Sequence, residues 1–173
     1  MIDRLIIITF SLVLLYNAGE AMGKKLLTGD DKKEIFQLVT EYNNQYKQFP
    51  SISELEQFYS KEVIYNPGSE ELMVFVIDTF KVNEIEYVEK MKAWYVVTNF
   101  HIIGIVDKDG YSPIGDRYEN IGLYVIKEAA KWKIYSEYGY YYLSKEGVIK
   151  WASRYKTNKK YRNIYDSVIR NLK

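Results

Sequence analysis

Apolar residues recur at helical spacing early in the chain. Ile35, Leu38, Val39, Tyr42 and Tyr46 fall on one stripe, and Thr28-Gly29-Asp30-Asp31 ahead of them offers a side-chain cap and first-turn acids. Pro50 stops this helix. Ser51-Ile52-Ser53-Glu54, with Glu56, then supplies overlapping Ser-x-x-Glu capping boxes for a short second helix whose apolar face is Ile52, Leu55, Phe58 and Tyr59. Asn66-Pro67-Gly68 reads as a turn, and Glu71 to Phe80 as a strand on the strength of Val74, Phe75, Val76 and Ile77. From Val82 the period changes to two. Ile85, Tyr87 and Met91 share a side, and a long strand from Ala93 to Val106 sets Trp94, Val96, Thr98, Phe100 and Ile102 against Tyr95, Val97, Asn99, His101 and Ile103. Asp107-Lys108-Asp109-Gly110 closes it as a hairpin turn. A loop is expected over Tyr111 to Glu119, then strands over Ile121 to Lys127 and Lys131 to Tyr142 joined at Ala129-Ala130. Ser144 to Lys173 reads as helix, with Thr157-Asn158 as a breaking point.

Ahead of these elements lies the apolar run Leu5 to Tyr16, about a dozen residues preceded by Arg4 and followed by Gly19-Glu20-Ala21, the pattern of a secretory signal with a small-residue processing site. A membrane-spanning helix needs roughly 20 apolar residues, and Asn17 and Glu20 interrupt the run before that. The expected organisation is a signal peptide over 1–21, one α+β domain over 22–143 and a basic amphipathic helical extension over 144–173 packed on it. Retention of the run as an anchor is the alternative.

Composition narrows the chemistry. With 47% apolar residues the chain can bury a core, and with no cysteine it has neither disulfides nor a thiolate nucleophile or metal site. Eighteen tyrosines and seven phenylalanines suit strands and half-buried walls. The net charge is +1, but residues 150–173 carry eight cations against Asp166 alone, a local +7. Such a segment docks on its own acidic domain or on an anionic membrane surface.

Two helices followed by long meandering strands, the last holding Lys-Trp-Lys-Ile (Lys131 to Ile134), resemble the nuclear-transport-factor-two-like superfamily, also called SnoaL-like. The likeness covers Asp30 to Tyr142 and rests on element order and on Ile121 to Ile134 (IGLYVIKEAAKWKI). It implies a strongly curved antiparallel sheet covered by amino-terminal helices, a cone-shaped, cystatin-like α+β architecture, here with a carboxy-terminal helix added. The superfamily includes dehydratases, isomerases, small-ligand binders and accessory domains of secretion and cell-wall proteins, so the fold leaves activity open. A strongly bent sheet also leaves an aromatic-lined pocket at its open end on general grounds.

His101 is the only histidine, which excludes a two-histidine metal site. A His-Asp dyad like that of superfamily dehydratases would use His101 with Asp78 or Asp107. Asp107-Lys108-Asp109-Gly110 fails as a calcium loop because Tyr111 and Tyr118 occupy later ligand positions. No metal and no cofactor are expected, and there is no glycine-rich phosphate loop. Trp94, Tyr124, Tyr138, Tyr140 and Tyr142 are the candidate ligand-binding residues, as an aromatic platform for an apolar or sugar-like ligand. The sequence thus points to an exported, periplasmic or secreted, non-catalytic ligand-binding or protein-interaction module of a bacterial envelope. Its expected partner is a small apolar or sugar-like ligand or an envelope protein, with no nucleic acid, and a homodimer is a further option. The alternatives are a cofactor-independent dehydratase or isomerase using His101, and an anchored component of an envelope or secretion assembly.

Overall fold

Thr28 caps the first helix by accepting the Asp31 N–H at 3.0 Å, and the stripe that follows is buried at Ile35, Val39, Tyr42 and Tyr46. The computed structural model describes residues 27–64 and 73–173. The expected signal segment and the Asn66-Pro67-Gly68 turn lie outside them. In chain order the elements are α1 (Gly29–Tyr46), α2 (Ile52–Leu55), β1 (Tyr59–Ile64), β2 (Val74–Val88), β3 (Ala93–Asp107), β4 (Gly110–Glu128), β5 (Lys131–Ser136), β6 (Tyr141–Leu143), α3 (Lys145–Ala152) and α4 (Arg162–Leu172), with short 3-10 turns at Glu89–Met91 and Ser153–Tyr155. The fold is α+β, built on an open six-stranded sheet of order β1-β5-β4-β3-β2-β6.

The sheet is mixed, not purely antiparallel. β2, β3, β4 and β5 form the expected meander. The two edges add parallel pairs, β1 on β5 and β6 on β2. Three expectations change with this pairing. Tyr59 opens β1 rather than continuing the second helix, which ends at Leu55 and leaves Ile52 69% exposed. The segment Tyr111 to Glu119 is strand, not loop, because the hydrogen-bonding edge of β3 holds it in register almost to the hairpin, from Asp107 opposite Gly110 to Trp94 opposite Val125; Pro113 sits opposite Gly104, at the register shift, where a missing donor is tolerated. Lys131 to Tyr142 is two strands on opposite sides of the sheet, β5 inside the β1 edge and β6 at the other edge, joined by Glu137 to Tyr140.

Both faces of the sheet carry helices. On one, α1 lies over the alternate residues Trp94, Val96, Phe100 and Ile102 of β3 and Leu123 and Val125 of β4, forming a core that includes Tyr42, Tyr138, Tyr142 and Trp132. Leu38, expected on that stripe, is only partly buried. On the other face, at the hairpin end, Val74, Val76 and Val106 meet Val148, Trp151, Ala152, Ile164 and Val168 of the carboxy-terminal helices in a second core. Irregular pairing at Val76/Ile77 and Ile102/Gly104 shifts the side-chain alternation between the two cores. The carboxy-terminal region is broken into α3, a 3-10 turn and α4, and it covers the face opposite α1, so the helices are not all gathered on one side.

These helices are held by specific backbone contacts. Ser144 N–H donates to Lys47 O at 2.9 Å, and a Cβ on Gly147 would stand 2.1 Å from that same carbonyl oxygen, so only glycine lets α3 dock on the end of α1. At the hairpin, Gly110 adopts φ +112°, Tyr111 N–H donates to Ser167 Oγ at 3.0 Å, and the Asn163 amide donates to Lys108 O at 3.0 Å. At the other end of α1, Lys127 of β4 donates to Asp31 Oδ1 at 2.8 Å. That bond, with the Thr28 hydroxyl, lowers the Asp31 carboxyl to about 2. A carboxyl lowered in the fold contributes stability above its unfolded value and loses it as pH falls. Lys127→Met should therefore flatten the acid limb of the stability curve between about pH 4 and pH 2, measured by chemical denaturation across pH, and an unchanged limb would show that this pair adds nothing.

Candidate functional site

The central stretch of the sheet face opposite α1 exposes the residues that alternate with the core. On β3 these are Tyr95, Val97, Asn99 and His101, each half-buried. Register brings Tyr118 opposite His101, Asn120 opposite Asn99, Gly122 opposite Val97 and Tyr124 opposite Tyr95. The Asn99 amide donates to Asn120 Oδ1 at 2.8 Å. The Tyr95 ring fills the space above Gly122, where a Cβ would meet it at 2.2 Å, and lies 5.1 Å from the Tyr124 ring. Glycine here makes room for a tyrosine to lie against the sheet. On the other flank Glu84 and Glu86 of β2 pair with Val97 and Tyr95, beside a shallow hollow of about 360 Å³ that Lys32 also lines.

His101 is the centre of a small polar cluster. Its ring stacks on Tyr118 with centroids 4.7 Å apart and planes at 18°. Nε2 is 3.2 Å from Asp116 Oδ1, and Nδ1 is 3.6 Å from Asp78 Oδ2. A neutral imidazole carries one N–H and can serve only one carboxylate, whereas the imidazolium serves both. The histidine side chain is 16% exposed, while Asp78 and Asp116 are 58% and 87% exposed. The carboxylates therefore keep their hydration, and water competes with the imidazole for the hydrogen bonds they accept. Asp107 stands apart, accepting the Asp109 N–H at 2.8 Å within the hairpin turn. Among the described residues no group of three histidine, aspartate or glutamate side chains is placed to hold a metal ion.

The five aromatics read from the sequence as a platform are dispersed. Tyr124 belongs to the exposed face described above. Trp94, Tyr138 and Tyr142 are buried on the α1 side. Trp94 packs on Tyr87, and Tyr142 is stacked between Phe75 and Phe100 with centroids 5.1 and 4.7 Å away. Tyr138 donates to Asn43 Oδ1 at 2.8 Å, and Asn43 in turn donates to Thr98 Oγ1 at 3.3 Å. Burial raises the Tyr138 and Tyr142 hydroxyls well above the usual phenol range, so both remain neutral. Tyr140 is exposed at the β5–β6 connection, its ring edge-on to Phe75 at 5.6 Å. The residues that the outer face brings together beyond the candidates, Tyr95, Asn99, Asp116, Tyr118 and Asn120, include two from the segment read as loop. Their signal was the alternation of Tyr118 and Asn120 with Glu119 and Ile121, which extends the strand pattern back across the expected boundary.

No protein-family model matches this chain, and neither a curated protein nor a solved structure is detectably similar to it. Among the described residues no helix is long and apolar enough to cross a membrane.

Proposed function

We propose that the protein is an exported, non-catalytic binding module of a bacterial envelope, and that it takes a sugar-like ligand on the outer face of β3 and β4. The observation that carries this reading is the composition of one exposed strip: Tyr95 and Tyr124, the bonded Asn99–Asn120 amide pair, and His101 stacked on Tyr118, itself 64% exposed. Aromatic rings offer contact to apolar C–H faces and have polar edges. Amides and carboxylates beside them supply the donors and acceptors that hydroxyl groups need. Export rests on the apolar run and processing pattern at the amino terminus.

A cone-shaped sheet of the SnoaL-like kind is part of the same proposal, supported by the reach of the chain. Ser136 bonds to Tyr124 of β4, at the level of Tyr95 on β3, while Tyr141 pairs with Val74, opposite Val106 of β3. On a straight strand those levels are more than about 30 Å apart at ~3.3 Å per residue. The five steps from Ser136 to Tyr141 span at most about 18 Å. Strong bending of the meander resolves the difference.

The second reading, a cofactor-independent dehydratase or isomerase, is favoured by one observation, the carboxylates on both sides of His101. One set of variants separates the two. N-acetylglucosamine oligomers titrated into labelled protein should shift the amide signals of Tyr95, Asn99, Tyr118 and Asn120, and Tyr118→Ala should weaken that binding by about tenfold, the loss of ~1.4 kcal/mol, while His101→Ala leaves the fold unchanged. Shifts confined to other surfaces would remove the outer face from consideration. A turnover lowered by about a hundredfold or more in His101→Ala, the usual cost of losing a general base, would replace binding with catalysis.

A further inference from the structure

The connection between α3 and α4, with the first residue of α4, carries Arg154, Lys156, Lys159, Lys160 and Arg162 within nine residues, and residues 153–165 contain no acid. All five cations are exposed. The backbone beneath them is pinned in consecutive turns, with Lys156 N–H on Ser153 O, Asn158 N–H on Tyr155 O and Tyr161 N–H on Asn158 O. The Asn158 side chain accepts the Lys160 N–H at 3.0 Å, and the Arg162 guanidinium donates to Lys156 O. Aromatic rings set the positions of the charges: Arg154 lies 4.1 Å over Phe49 and Lys160 4.9 Å over Tyr161, whose ring is edge-on to Tyr155 at 5.5 Å. Nearby acids are few. Asp166 pairs with Arg162 at 2.9 Å, and Asp107 and Asp109 stand at the hairpin beyond Lys108. Lys156, Lys159 and Lys160 make no ion pair among the described residues.

We propose that this knuckle docks on the anionic headgroups of a lipid bilayer. Ile164 and Val168, the apolar stripe of α4, are buried in the second core, so the helix cannot lay that stripe into a membrane. Contact is electrostatic, made by an exposed turn whose half-buried tyrosines suit the headgroup layer. A plane receives such a turn. A nucleic-acid strand calls for a groove with free ring faces, and here the Tyr155 ring is packed edge-to-face against Trp151 and Tyr161. The choice of lipid rests on the envelope location proposed above.

The test is co-sedimentation of the full chain with vesicles of phosphatidylglycerol and phosphatidylcholine at low salt. The wild type should partition onto the mixed vesicles, not onto phosphatidylcholine alone, and should be released at about 0.5 M salt, where screening is within a few ångströms. The variant K156E/K159E/K160E should lose about fivefold per lysine or more with an unchanged melting temperature. The milder K156Q/K159Q/K160Q should lose part of the binding and decides the matter if the glutamate variant does not fold. Absence of wild-type binding, or equal binding by all three proteins, overturns the proposal. So does salt-sensitive binding of a single-stranded oligonucleotide without vesicle binding. Cell fractionation tests the envelope location separately, so the two readings can fail independently.

Discussion

Replacing Ile164 with aspartate should lower the unfolding free energy by about 4 kcal/mol or more. The side chain has no exposure and meets Trp151, Val148 and neighbouring aliphatics in the second core. Truncating a buried isoleucine costs about 2–5 kcal/mol, and a carboxylate left there without a partner adds the cost of desolvating a charge or of protonating it. Urea denaturation measures the effect. The same experiment on Lys159→Glu with Lys160→Glu should show almost none, since exposed charges contribute at most about 1 kcal/mol each. A loss below about 1 kcal/mol in Ile164→Asp would mean that α4 is a tail rather than part of the fold.

Phe100→Ala should destabilise the protein by about 3–5 kcal/mol, the range for deleting a buried phenylalanine. Phe100 is 1% exposed and sits among three rings from two separate parts of the chain: Tyr142 stacked at 4.7 Å and Tyr138 edge-on at 5.5 Å from the β5–β6 stretch, and Phe80 of β2 tilted at 6.1 Å. Aromatic pairs add to the area term because their quadrupoles favour offset and edge contacts. The variant therefore loses the contact that ties the β5–β6 connection to β3. Tyr138 lies at the middle of that connection, and its bond to Asn43 should loosen with it, seen as faster amide exchange at Asn43 and Thr98. A small loss with normal protection would place the weight of the α1 core elsewhere.

The two faces of β3 show how far local pattern reaches. Strict alternation from Trp94 to Ile102 was legible because a side chain's face depends only on the parity of its position. The identity of each face was not. Whether His101 looked into a core or out of one depended on where α1 and α4 came to rest, and nothing local to β3 encodes that. The same holds for Tyr138 and Tyr142, which carry the same residue type as Tyr124 and Tyr140 but are core, because the chain crosses the sheet between β5 and β6.

The sequence by itself determined the α+β class, the start of α1 at its Thr28 cap, the β2–β3–β4 meander around the Asp107–Gly110 turn and the break between the carboxy-terminal helices. These follow from periodicity, capping and turn chemistry within a few residues of each other. Tertiary structure alone decided that the strand runs back from Tyr118 through Tyr111 to the hairpin, that β1 and β6 pair in parallel at opposite edges, and that α3 and α4 cover the face opposite α1. Those outcomes rest on hydrogen bonds and contacts between segments far apart in the chain, such as Ser144 to Lys47 and Tyr111 to Ser167. The outer-face cluster has the same origin: Asp78, His101 and Asp116 come from three strands, and only the register of those strands places both carboxylates beside one imidazole.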